Sequence, residues 1–335
     1  MGRYDHYEDS VRSRPSRRGT RPRTKDRPSH DDAEIGLVTG VDRGRFTTQV
    51  EGRTVIAMRA RELARGKVVV GDRVAIVGDT SGQTDALARI VRIEERDSVL
   101  RRSADDSDRV ERVIVANADQ LVIVTALADP PPRPRMIDRC LVAAYDAGLD
   151  PLLVLTKADL HDPSELVAQY DALDLPYVVI ALGPDGQSTD DAGLAALREQ
   201  LKDKTSVLVG HSGVGKSTLV NALVPDASRT TGVVNDVTGR GRHTSTSSFA
   251  LPLPKGGWVV DTPGVRSFGL GHVDPGTFLQ HFDDLAPGAD GCPRGCSHDE
   301  PECGLDAYVA SGAAGPNGAS RLDSLRRLLG SRTGE

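Results

Sequence analysis

The chain has 335 residues, with 38% apolar, 27% charged and only 4% aromatic residues, 35 Gly and 20 Pro. At this length the chain is too long for one ordinary domain and, with this composition, fits two or three globular domains rich in turns. No apolar run approaches the roughly 20 residues that span a bilayer, and the first thirty residues lack the apolar core of a secretion signal. The expectation is a cytoplasmic protein with no membrane association. The net charge of −6 is uneven: residues 1–30 hold nine Lys/Arg against four Asp/Glu, a balance of +5 that leaves −11 for the remainder.

Residues 1–33 form a basic arm with almost no apolar residues, including Arg12, Arg14, Arg17, Arg18, Arg21 and Arg23. Such a segment cannot bury enough surface to offset its ordering entropy, so it is expected to be disordered. It serves either as a solubilising tail or as a contact for a polyanion, since each neutralised phosphate releases counterions. Between residues 34 and 102, five β-rich pieces (EIGLVTGV, RFTTQVEG, RTVIAMRA, VGDRVAIVG, ALARIVRIEE) alternate with turn residues. Five strands in so short a stretch predict a small barrel, of SH3 or OB type.

From residue 103 to 273 the pattern changes. LVIVT (Leu121–Thr125), LLVL (Leu152–Leu155), YVVI (Tyr177–Ile180), SVLV (Ser206–Val209) and WVV (Trp258–Val260) are short continuous apolar runs, as in strands buried on both faces. Amphipathic stretches at Met136–Asp146, Pro163–Asp171 and Asp191–Lys202 separate some of them and predict helices. Alternation of this kind predicts a parallel α/β sheet. Residues 274–335 read as helical and Gly-rich, ending in a helix near Ser320–Leu329, and are too few for a substantial core without a metal staple.

Three motifs fall at the ends of apolar runs. Gly210-His211-Ser212-Gly213-Val214-Gly215-Lys216-Ser217-Thr218 fits a P-loop, preceded by a strand and followed by a helix. Its backbone N–H groups can cradle phosphates, Lys216 neutralises phosphate oxygens, and Ser217 ligands Mg²⁺. Asp261-Thr262-Pro263-Gly264 is a D-x-x-G, in which Asp261 reaches the Mg²⁺ shell and the Gly264 N–H a γ-phosphate. Thr156-Lys157-Ala158-Asp159 matches the guanine-reading [NT]-K-x-D of GTPases. It precedes the P-loop by 54 residues, so it is accidental or the sheet is circularly permuted. Finally, Cys292, Cys296, His298 and Cys303 offer three thiolates and an imidazole, a closed tetrahedral set suited to structural Zn²⁺. Cys140, in the apolar run RCLVAAY, reads as core.

The order TKAD, GHSGVGKST, GRGRHTSTS (Gly239–Ser247), DTPGVRSFGL and a Cys/His cluster resembles the ribosome small subunit-dependent GTPase A family, RsgA, also called YjeQ. The resemblance covers about residues 34–330. It implies an OB-type β-barrel, an α/β circularly permuted P-loop GTPase domain and a small helical zinc-binding C-terminal domain. It also implies GTP hydrolysis to GDP, acting with the 30S subunit and its rRNA, in a chain expected to be a monomer. By the same resemblance Thr244 is the switch I Mg²⁺ ligand, with Ser245 and Thr246 as alternative registers. Val265 stands where Ras-like enzymes carry a catalytic glutamine, and the resemblance points to His243 as the water-orienting residue. The cysteine cluster departs from the family spacing, being one residue shorter in its first and last gaps. Three other readings stay open on sequence alone: a permuted GTPase of another ribosomal particle, a nucleotide-gated RNA-binding module with little turnover, and an ATPase.

Overall fold

The computed structural model describes residues 30–61, 63, 67–83, 85–102, 112–181, 191–224, 248–262, 268, 270 and 272–332. Nearly all of the basic arm lies outside these residues, as do His243, Thr244, Ser245, Thr246 and Gly264. Residues from Ala33 onward belong to one unit, distinct from Met1–Asp32.

The first five strands are β1 (Glu34–Asp42), β2 (Arg45–Val50), β3 (Arg53–Arg59), β4 (Arg73–Gly78) and β5 (Ala88–Ile93). They close because β1 pairs with both β2 and β4, while β3 runs parallel to β5 and β5 antiparallel to β4. This Greek-key closure, with its parallel β3–β5 pair, is the OB topology. Alternation along the strands sends Val38, Val50, Val55, Ala57, Val74, Ile76 and Ile90 inward as a separate core. On the outer face, Arg45 lies opposite Met58 and Met58 opposite Arg89, all three exposed.

A two-stranded ribbon, β6 (Val99–Arg102) with β7 (Arg112–Ala116), leads out of the barrel. The Ala116 N–H donates to Val70 O at 3.0 Å and Asn117 Nδ2 to Gly71 O at 2.8 Å. Beside them the fully buried Asp72 carboxylate is gripped by Arg96 through Nε at 2.7 Å and Nη2 at 2.9 Å. A buried carboxylate needs such a bidentate partner to offset its desolvation.

The remaining strands are β8 (Gln120–Ala126), β9 (Asp150–Thr156), β10 (Tyr177–Ile180), β11 (Thr205–Val209), β12 (Phe249–Pro252) and β13 (Trp258–Asp261). Their spatial order is β10-β9-β8-β11-β13-β12, after which the sheet continues into β1 of the barrel. All neighbours from β10 to β13 are parallel, and only β12 runs antiparallel. Residues alternate between the faces. Leu121, Ile123, Leu153, Leu155, Val207 and Val209 pack with helix α1 (Pro134–Asp146). Val122, Val124, Leu152, Val154 and Leu208 pack with α3 (Asp191–Leu201) and α4 (Lys216–Leu223) on the other side. The short α2 (Ser164–Ala168) follows β9.

The C-terminal elements α5 (Pro275–Leu279), α6 (Gly304–Ala310) and α7 (Gly318–Gly330) join the α1 face, sharing one core with it through Phe278, Leu305, Leu322, Leu325 and Leu328. Arg139 of α1 donates to Ser331 O at 2.6 Å and, through Nη2, to Phe268 O. Arg332 donates to Val273 O at 2.6 Å.

Candidate nucleotide site and metal centre

Parallel strands carry their C-terminal ends on one edge of the sheet, and the three phosphate- and base-type motifs all begin there. TKAD starts at the last residue of β9, the P-loop follows β11, and Asp261 ends β13. The chain runs outward from β8 through β9 to β10, then returns to place β11 on the other side of β8. The crevice between the loops after β8 and β11 is therefore a topological switch point, where open α/β sheets bind ligands. The spatial neighbours of the P-loop strand, β13 on one side and β8 then β9 on the other, are those a GTPase needs. Only the chain order is permuted.

The P-loop is braced from beneath. A Cβ on Gly210 would lie 2.3 Å from Val124 O, so the loop leaves β11 by passing directly over the β8 backbone. The buried Thr156 hydroxyl donates to Val214 O at 2.7 Å, with Thr125 O at 3.3 Å; the first residue of TKAD thus supports the P-loop. Lys216, at the start of α4, donates through Nζ to Gly210 O at 2.6 Å and His211 O at 2.8 Å. It is held across the mouth of its own loop. Ser212, Gly213 and Ser217 are exposed on the rim, with His211, Gly215 and Thr218 half-buried and Val214 buried in the wall. His211 Nδ1 lies 3.0 Å from Ser212 O.

Asp261 is half-buried, and burial pushes its carboxyl above the ordinary range against the opposing charge of Lys216. The two motifs therefore share one electrostatic site. Thr262 is buried and donates to Leu208 O at 3.3 Å, tying the start of the D-T-P-G motif to the P-loop strand. Asp159 is exposed and Lys157 donates through Nζ to Asp129 O. The segment after β8 was not singled out from sequence: Pro130 Cδ lies 3.5 Å from a Cβ built on Gly213, so Asp129-Pro130 walls the crevice. The run PPPRP that starts at Pro130 is the available signal, since prolines fix a segment with little entropy to lose.

Cys292, Cys296, His298 and Cys303 are brought together, with all four ligand atoms within 4.8 Å of one another. Cys292 Sγ lies 3.8 Å from Cys303 Sγ and 3.7 Å from His298 Nδ1, and Cys303 Sγ lies 3.9 Å from that nitrogen. A tetrahedron with Zn–S bonds of about 2.3 Å has edges of about 3.8 Å, so the donor set fits zinc in both chemistry and spacing. The shortened gaps close because Gly295 and His298 adopt positive φ, +78° and +70°. The Cys296 Sγ also receives the His298 N–H at 3.3 Å. Cys140 is instead buried in the α1 core, where desolvation pushes its thiol up to about 12.

The RsgA GTPase family model matches residues 93–271, just over half of the chain. The chain is 37% identical over 311 residues to the small ribosomal subunit biogenesis GTPase RsgA of Chlorobaculum parvum, covering 88% of this chain and 97% of the relative. It is similar to the crystal structure of YjeQ from Thermotoga maritima, with a TM-score of 0.63 and 27% identity over 90% of this chain and 99% of that one. YloQ, a circularly permuted GTPase, has the same fold, with a TM-score of 0.61 and 23% identity over 92% of this chain and 97% of its own. The permuted strand order around a P-loop, the closed barrel before it and the Cys3His cluster after it agree with these matches: the chain belongs to the RsgA family of GTPases.

Proposed function

We propose that this chain hydrolyses GTP to GDP and phosphate during late maturation of the 30S ribosomal subunit in the cytoplasm, stimulated by the subunit itself. The convergence of TKAD, P-loop and Asp261 on one edge of the sheet carries the reading. Asp159 accepts from the guanine N1–H and exocyclic amine, a donor pair adenine lacks, while the Lys157 stem lies along the base. The backbone N–H groups of Gly210 to Thr218 and the α4 N-terminus hold the phosphates. Lys216 exchanges its two loop carbonyls for β- and γ-phosphate oxygens, and Gly264 N–H meets the γ-phosphate.

Ser217, Thr244 and Asp261 are the residues that would hold Mg²⁺ directly or through water, which neutralises developing phosphate charge. His243 orients the water whose oxygen forms the new bond to the γ-phosphorus as the bond to the GDP oxygen breaks. With Val265 in place of glutamine, intrinsic turnover is slow until a partner aligns His243 with the attacking water. Cys292, Cys296, His298 and Cys303 would hold Zn²⁺ as a structural staple. The organisation that goes with this reading is a basic arm (1–33), an OB barrel (34–102), a permuted GTPase domain (103–273) and a zinc module (274–335), working as a monomer.

The test is phosphate release by the purified chain with and without 30S subunits, alongside cosedimentation with each subunit in GDP and in a non-hydrolysable GTP analogue. Stimulation by 30S and analogue-dependent binding to it are expected. Exclusive binding to the large subunit overturns the partner, and background turnover with 30S overturns the activity. Asp159→Asn should lower guanine nucleotide affinity by about tenfold or more, the size of one lost charge-assisted hydrogen bond, in a fluorescent-GDP titration.

A further inference from the structure

The barrel and the GTPase sheet are one continuous sheet, and the place where they join is specific. β1 has a bulge between Val38 and Gly40 in its pairing with β2, and beyond it Gly40 lies opposite Phe249 of β12. Phe249 lies opposite Asp261 of β13, and Asp261 opposite Leu208 of β11. A single rung therefore runs from the barrel edge through the D-x-x-G carboxylate to the strand that leads into the P-loop.

Val41, next along β1, donates its N–H to Ser248 O at 3.4 Å. Its side chain is half-buried and packs against both the barrel core and the core shared by α1 and the sheet. Among the described residues the seam is short, with one opposed pair, and the Val41 bond beside it is long. The other joint, at the entry to β8, is heavy, with the Val70–Val115 bridge, the Asn117 and Ala116 bonds and the buried Asp72–Arg96 pair nearby. A barrel held firmly at one joint and lightly at the other transmits a push on its outer face as a shift at the light one. That shift falls on the rung bearing Asp261.

We infer that Val41 couples the barrel to the GTPase sheet: the β1–β12 seam is the route by which engagement of the barrel by the small subunit reaches the nucleotide site. The inference rests on the proposed stimulation by that subunit and adds the structural element that conveys it.

The experiment uses the full chain as wild type, Val41→Ala, Val41→Thr and Val55→Ala. The last makes the same deletion wholly inside the barrel core, where Val55 is fully buried. Basal kcat, KM for GTP and the 30S concentration giving half-maximal effect should stay within about twofold in Val41→Ala, while the 30S-stimulated kcat falls at least fivefold. Val55→Ala should keep its stimulation although it melts earlier. In the wild type, amide exchange in Ser248–Pro252 should change when 30S is added with a non-hydrolysable analogue. Full stimulation of both Val41 variants overturns the inference, as does equal loss in Val55→Ala or unchanged exchange at the seam. A wild type that 30S does not stimulate overturns the functional reading beneath it, an outcome visible before any variant is assayed. Should Val41→Ala fold poorly, Val41→Thr keeps the side-chain shape and places a hydroxyl in the apolar seam, and the same outcomes apply.

Discussion

Lys216 spans the mouth of its loop by donating to two carbonyls of that loop, so the proposed phosphate binding is an exchange of partners for a cation already in place. Truncation at Lys216→Ala should lower the rate of GTP hydrolysis by about a hundredfold or more, as when an aimed electrostatic donor is lost, read as single-turnover phosphate release. Gly210 answers to a different constraint. A methyl group there meets Val124 O at 2.3 Å, so Gly210→Ala should cost about 1–3 kcal/mol in overpacking and backbone shift and displace the loop. A urea titration and a GDP titration check the two effects. The P-loop and the Cys/His cluster were legible because residue type and spacing encode them. Thr156 as a brace was not, because its acceptor is a backbone carbonyl 58 residues away, and carbonyls carry no sequence signature. Arg139 is hidden for the same reason: its acceptors, Phe268 O and Ser331 O, are 129 and 192 residues distant.

Among the elements, the buried parallel strands were readable from their continuous apolar runs. β12 was not, since FALP is four residues ending in proline and only its neighbours β13 and β1 make it a strand. The SH3-or-OB ambiguity also needed pairing rather than periodicity, because the parallel β3–β5 contact joins segments whose alternation is the same in either barrel. The C-terminal helix α7 is fastened to the rest by arginines. Arg321 forks onto Asp284 with bonds of 2.9 Å from both Nε and Nη2, and burial, which pushes the Asp284 carboxyl up, is outweighed by that pair, which holds it below its ordinary value. A depressed carboxyl stabilises the fold above its unfolded pKa of about 3.9. Asp284→Asn should therefore cost about 1–2 kcal/mol at pH 7, and its difference from wild type should shrink as pH falls below about 4, followed by urea unfolding. Cys303→Ser, or a strong chelator, should remove the proposed Zn²⁺ and lower the melting temperature of α6 and α7 together, since Cys303 immediately precedes α6 and packs in the same core as α7; metal analysis and hydrogen exchange check it.

Across the whole molecule, the charge asymmetry takes on spatial meaning. Residues 31–335 are acidic, yet the outer row Arg45, Met58 and Arg89 on the barrel gives two exposed cations flanking an exposed thioether, with Met58 43% exposed, a surface suited to phosphates and an unstacked base. Replacing Arg45 and Arg89 together by Ala should weaken 30S binding and reduce the slope of log affinity against log salt by about two, measured by cosedimentation at several salt concentrations. No described helix is long and apolar enough to cross a membrane. The permuted order has a consequence in time. β8, β9 and β10 can pair as soon as they are made, but β13, with Asp261, is the last strand of the sheet to be synthesised, and the elements that pin Phe268 and Val273 come later still. With domains folding as they emerge from the N-terminus, a nascent chain presents its barrel to the surroundings long before it can hold a nucleotide, so the GTP-dependent half of its behaviour belongs only to the finished molecule.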